Sequence, residues 1–186
     1  MTDDSTREEM HKDPGVMGVP GDDVAEAVVD HVKGAVAAQS HGQTVVHVPR
    51  DAWREAVRFL KEDQQFTQCS DITAVDQLLR PDRPVPAGVD RERFEVVANL
   101  LSHPRNRRIR LITQVPDGGE VESLFELFSG TELPEREVYD LLGVRFAGHP
   151  DLVRLLMPDD WEGHPLRKDD APARVPVQFK EAQRPR

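Results

Sequence analysis

A chain of 186 residues with 38% hydrophobic and 31% charged side chains is long enough for one domain of ordinary size, able to bury roughly 70% of its unfolded surface. Seven Phe, two Trp and one Tyr make for a lean core, and the single cysteine, Cys69, excludes an intramolecular disulfide, a Cys-based zinc site and a multi-thiolate iron–sulfur cluster held by this chain. No apolar run approaches the roughly 18 residues that a membrane span needs, so a direct span is excluded.

The net charge of -10 is unevenly distributed. Residues 1–30 hold nine acids against Arg7 and Lys12, which leaves 22 bases and 25 acids for the rest of the chain. Residues 1–20 show no periodicity and read as a disordered acidic leader. An acidic start is neither a secretory signal nor an Arg-rich transit peptide, which points to a bacterial cytoplasm. The overall sign also argues against a nucleic-acid binder, since phosphate neutralisation needs a clustered basic surface.

From Asp22 the valines at 24, 28, 32 and 36 recur every four residues and predict a helix ending near Ser40 to Gly42. Thr44–Val48 is β-rich and closed by Pro49. Trp53, Ala56, Val57 and Leu60 then form the stripe of an amphipathic helix. Strands are expected over Phe66–Leu79, Arg93–Ser102 and Arg107–Val115, the last two joined by the short His103–Asn106 turn of an antiparallel hairpin. Three prolines stiffen Pro81–Gly88, which should run along a sheet edge or project from it. After Asp117-Gly118-Gly119 a helical stripe returns in Val121, Leu124, Phe125 and Phe128. Another helix follows over Leu133–Gly143, with proline early and glycine at its end.

The expected fold is therefore α+β, a mostly antiparallel sheet with helices packed on one face, over residues 21–148. Residues 149–186 change character. They hold six prolines and no lasting period, yet carry Leu152, Leu155, Leu156, Met157, Trp161 and Leu166. Such an extended Pro-rich C-terminal arm cannot form its own core and must lie on the parent domain or on another chain.

Chemistry is sparse. No glycine-rich phosphate loop and no nucleophile elbow is present, and Cys69 in a strand-like run reads as a small core hydrophobe. Two constellations, Glu135, Arg136, Glu137 and Asp140 followed by His149, and Asp159, Asp160, Glu162 and His164 around Trp161, could each be imagined as a carboxylate–histidine metal site. Arg136, Arg154, Arg167 and Lys168 stand close enough to pair with those acids, so ion-pair networks that lock a segment in place account for them better than catalysis. Arg105, Arg107, Arg108 and Arg110, without interleaved aromatics, read as a solvated strand face or a docking patch for an acidic partner.

The stretches EREVYDLLGVRFAGHPDL (Glu135–Leu152) and LLMPDDWEGHPLRKDD (Leu155–Asp170) resemble the C-terminal signature of the 30 kDa subunit family of respiratory complex I, a component of bacterial NADH-quinone oxidoreductase. The carriers are Glu135, Arg136, Glu137, Asp140, His149, Pro150, Asp159, Asp160, Trp161, Glu162, Gly163, His164, Pro165, Leu166, Arg167 and Lys168. A weaker likeness covers residues 43–134. The chain departs from the family at Leu133-Pro134, Val153 and Asp170-Ala171. The resemblance implies a subunit with no catalytic, cofactor-binding or metal residues of its own. Complex I is a proton-translocating NADH:quinone oxidoreductase whose FMN, iron–sulfur clusters and quinone would then lie in partner subunits. The implied neighbours are the 49 kDa-type quinone-site subunit and cluster-bearing subunits, on the cytoplasmic side of the bacterial cell membrane. These sixteen carriers would serve the subunit interface, with Glu135, Arg136, Glu137 and Asp140 ion-paired at the root of the arm. The alternatives are the equivalent subunit of a membrane-bound hydrogenase, a free-standing metal-dependent hydrolase using His149, His164 and nearby acids, and an adaptor outside respiration.

Overall fold

The structure is a computed structural model that describes residues 22–170, so the leader and the part of the arm beyond Asp170 lie outside the described residues. Helix α1 (Asp23–His31) begins on a side-chain cap: the Asp22 carboxylate accepts the N–H groups of Val24 and Ala25 at 3.2 Å each. The helix does not continue to Gly42. It stops at His31, Gly34 turns the chain at φ +85°, and Val36–Ser40 forms strand β1. A four-residue valine period satisfies a strand as well as a helix. The strand wins here because β1 pairs antiparallel with β2 (Gln43–His47), Val36 opposite His47.

Pro49 closes β2 and leads through a short 3-10 turn into α2 (Trp53–Glu62), whose Trp53, Ala56, Val57 and Leu60 are fully buried, as their spacing requires. Strands β3 (Gln68–Asp76), β4 (Phe94–Ser102) and β5 (Arg107–Val115) complete a five-stranded sheet in the order β1-β2-β5-β4-β3. All its pairs are antiparallel except β2–β5, where Val46 lies beside Leu111. That parallel pair is reached because α2, β3 and β4 intervene in the chain. On one face Val28, Trp53 and Leu60 join Val46, Val96, Leu100 and Leu111 in the core.

The proline loop Pro81–Gly88 neither trails along an edge nor projects. Arg83 within it is buried and donates to Glu95 Oε1 at 2.8 Å, to the Glu92 carbonyl at 2.8 Å and to Gln114 Oε1 at 2.7 Å, which draws the loop over the sheet. Burial alone would raise the Glu95 pKa, but hydrogen bonds from Gln114, Arg83 and Gln77 hold it below the ordinary value.

The stripe Val121, Leu124, Phe125 and Phe128 is not helical either. Glu120–Glu122 forms β6, parallel to β7 (Arg145–Ala147), and tight turns follow, closed by the Phe128 N–H on the Leu124 carbonyl at 2.8 Å. Val121, Leu124 and Phe128 are buried all the same, so the apolar spacing reported burial and not backbone shape. Helix α3 (Glu132–Leu142) has Pro134 in its first turn and ends at Gly143, φ +79°, a left-handed C-cap.

Candidate functional site

The residues singled out in the sequence converge on α3 and the segment 149–170 that lies against it. Asp140 is the centre. It is wholly buried on the last turn of α3, and its Oδ2 accepts three successive backbone N–H groups, Leu155 at 2.9 Å, Leu156 at 2.7 Å and Met157 at 2.9 Å. Its Oδ1 accepts Arg154 Nη1 at 2.7 Å. Burial opposes ionisation of this carboxyl, but the donors from Met157, Leu156, Arg154 and Leu155 overcome it and hold the pKa at about 2. Arg154 also donates to the carbonyls of Trp161 at 2.9 Å and Gly163 at 3.0 Å, so one ion pair folds the arm back on itself.

The four helix residues do not act as one ion-paired set. Arg136 shares a helix face with Asp140 but turns to the carbonyls of Val153 at 3.1 Å and Arg154 at 2.9 Å, with Asp151 Oδ2 at 3.9 Å. Asp140 is already saturated by four other donors, which leaves Arg136 to cap the arm's backbone. Glu137 is exposed. Glu135 points the other way, into the core, where it accepts the Ser123 hydroxyl at 2.5 Å and the Leu124 N–H at 2.7 Å. Burial without a cation in contact raises its pKa, against the pull of Ser123 and Leu124.

Both histidines are committed to helix carbonyls. His149 Nε2 donates to the Glu132 carbonyl at 3.0 Å while its Nδ1 accepts the Asp151 N–H at 3.1 Å, so both ring nitrogens are engaged. His164 Nδ1 donates to the Asp140 carbonyl at 2.9 Å, and its ring packs so closely on Gly143 that a Cβ there would lie 2.8 Å from it. Glu132 and Asp140 are eight residues apart, about 12 Å along the helix, so the two rings sit at opposite ends of α3. Among the described residues no three His, Cys, Asp or Glu side chains are grouped to hold a metal ion.

Farther along, Asp159, Asp160, Glu162, Gly163 and Leu166 are exposed, as is Pro150, whereas Trp161 and Pro165 are half-buried. The Leu166 N–H returns to the Leu141 carbonyl at 3.0 Å, and His164 N–H reaches Asp170 Oδ2 at 2.9 Å. The last described turn is held by a clasp whose other half lies at the far ends of three strands. Arg93 meets Asp76 at 2.9 Å, Asp117 at 2.8 Å and Asp169 at 2.6 Å, and Arg167 meets Asp117 and Asp169 at 2.9 and 3.1 Å. The Lys168 N–H donates to Asp76 at 2.9 Å, and both guanidinium groups sit over the Phe94 ring. The Asp169 pKa is lowered by Arg93 and then Arg167; that of Asp76 is lowered despite burial by Arg93 and the Lys168 N–H. Asp76, Phe94, Arg93 and Asp117 carried no signal in the sequence, because their partners lie up to 92 positions away.

Fold and site together define a class of protein: a small α+β subunit whose concentrated polar chemistry is spent on holding its own extended C-terminal segment. Residues 46–175 match the family described as "Respiratory-chain NADH dehydrogenase, 30 Kd subunit", and the chain belongs to that family. A Geobacter sulfurreducens protein named as an NADH-quinone oxidoreductase subunit of the C type is 46% identical over 129 residues, 69% of this chain and 74% of the relative. Proteins of the same name from Mesorhizobium japonicum (42% over 148 residues, 78% and 68% of the two chains) and Saccharopolyspora erythraea (36% over 171 residues, 90% and 61%) are similar too. These relatives support neither the hydrogenase subunit nor the free-standing hydrolase. No helix of the described residues is long and apolar enough to cross a membrane.

Proposed function

We propose that the chain is a non-catalytic, peripheral-arm subunit of a proton-translocating NADH:quinone oxidoreductase, in which FMN, iron–sulfur clusters and quinone are carried by partner subunits. Its chief neighbour is the 49 kDa-type quinone-site subunit, beside cluster-bearing subunits, and it reaches the cytoplasmic side of the bacterial membrane only through the complex. The observation that carries this reading is the surface of the immobilised segment. Leu133 on α3 and Val153, Leu155, Leu156 and Leu166 on the segment beside it stand between 37% and 60% exposed, and Asp140, Arg136 and Arg154 pin the segment's backbone over 153–157. Apolar side chains held rigidly in water favour association, and rigidity lowers the entropic cost of docking. A subunit built in this way fixes the separation of its neighbours, and electron transfer depends on that separation.

The test is complementation of a strain lacking this subunit with a Leu155→Asp/Leu156→Asp variant. Both side chains are exposed, so the isolated variant should unfold at the wild-type temperature while NADH:quinone reductase activity of the membranes falls at least tenfold. Full activity with the variant present at wild-type level would contradict the proposal.

A further inference from the structure

A concave surface lies at the opposite end of the sheet from the clasp. Strands β4 and β5 run nine residues each between the two ends, about 27 Å. The groove encloses about 740 Å³ and is bounded by the β1–β2 turn, the start of β3 and the start of β5. Three arginines enter it. Arg107 is neutralised by Asp22 at 2.9 Å. Among the described residues Arg110 is held by neutral acceptors only, Asn99 Oδ1 at 3.2 Å and Gln43 Oε1 at 2.9 Å, which orient the guanidinium without cancelling its charge. Arg108 is exposed and makes no hydrogen bond or ion pair among the described residues. Among the described residues the one other acid on the lining is Asp71, an exposed residue beside the bulge of β3.

Resting on the subunit role proposed above, we infer that this groove docks an extended acidic segment of a second neighbouring subunit, so that the chain bridges two partners from opposite ends of its sheet. Arg108 and Arg110 project from the same face of β5, about 7 Å apart, the repeat of alternate residues in an extended chain. Carboxylates at alternate positions of the incoming segment therefore meet both guanidinium groups. An arginine fork matches a carboxylate in two parallel hydrogen bonds, and Arg110 is oriented in advance by Asn99 and Gln43. The groove is too large for a single small anion, and the net charge of -10 repels an anionic membrane surface.

The experiment places a photo-crosslinking amino acid at Gln39, an exposed residue of the groove, and separately at Leu156 on the arm, in the intact complex purified from membranes. The Gln39 probe should capture a subunit segment with acids at alternate positions, and Arg108→Gln/Arg110→Gln should reduce that crosslink at least tenfold without changing the unfolding temperature of the chain. Capture of residues 1–21 of this same chain, or no capture at Gln39 while Leu156 still crosslinks to a neighbour, overturns the groove assignment and leaves the subunit role intact. Recovery of the chain from membranes free of any neighbouring subunit, so that neither position has a neighbour to capture, overturns the subunit role itself.

Discussion

Replacing Asp140 by Asn probes the point on which the whole arm depends. The carboxylate accepts three backbone N–H groups on one oxygen and Arg154 on the other. An amide has only one acceptor oxygen, so in either orientation its NH2 confronts a donor, either the N–H trio or the guanidinium. Holding the pKa at about 2 instead of the ordinary 3.8 is worth about 2.5 kcal/mol at neutral pH. Leaving the largely buried Arg154 uncompensated brings the expected loss to about 3–5 kcal/mol. Native-state hydrogen exchange at the amides of Leu155, Leu156 and Met157 reads this loss directly, since local opening of the arm exposes them. The sign with pH follows from the lowered pKa. The folded carboxyl ionises more readily than the unfolded one, so its contribution is complete above pH about 4 and disappears as the pH falls towards 2. Variant and wild type should therefore converge in acid. A change in opening free energy below about 1 kcal/mol at pH 7, or a difference that persists unchanged at pH 2, would refute the reasoning.

Glu135→Gln should behave in the opposite way. The folded pKa is raised, so this residue's contribution is complete below pH about 4.5 and is lost as the pH rises; the neutral isostere should be neutral to stabilising at pH 7 in urea titrations, and a loss above about 1 kcal/mol there would contradict the assignment. Deleting residues 159–186 removes Asp169 from Arg93 and the Trp161 and Gly163 carbonyls from Arg154; at about 2 kcal/mol and 2–4 °C per kcal/mol, the melting temperature should fall by about 4–8 °C in calorimetry, and an unchanged value would mean that the segment does not rest on its own domain. Gly143→Ala places a Cβ 2.8 Å from the His164 ring at a φ of +79°, so it should cost about 2 kcal/mol and release the His164 ring, visible as a changed imidazole NMR signal; an unperturbed signal would argue against that close approach.

The elements legible in the sequence were those whose pattern admits one reading. Trp53–Leu60 fits only a helix, and it lies within α2, while Arg107–Val115 fits only a half-buried strand and holds to the residue. Val24 to Val36 admitted two readings, and Gly34 with the pairing of Val36 to His47 decided between them, which no local rule could have done. The same holds for Val121–Phe128, where spacing recorded burial while parallel pairing of Val121 with Phe146 set the backbone. At the site, Asp140, His149, His164 and Arg154 stood out through their clustering. The partner of Asp140, however, turned out to be a run of N–H groups and Arg154, not Arg136, because backbone donors leave no trace in a sequence. The clasp of Arg93, Asp76, Asp117 and Asp169 was hidden by sequence separation alone.

The central claim is that this chain works as a fixed spacer inside a larger oxidoreductase and carries no redox centre. Affinity purification of the tagged full chain from mildly solubilised membranes, followed by identification of every co-purifying polypeptide and bound cofactor, tests it most directly. The account predicts recovery with the quinone-site and cluster-bearing subunits at equal stoichiometry, and flavin and iron that stay with those partners once the chain is stripped from them. Recovery of the chain alone from such membranes, or flavin or iron retained on it after stripping, would contradict the account.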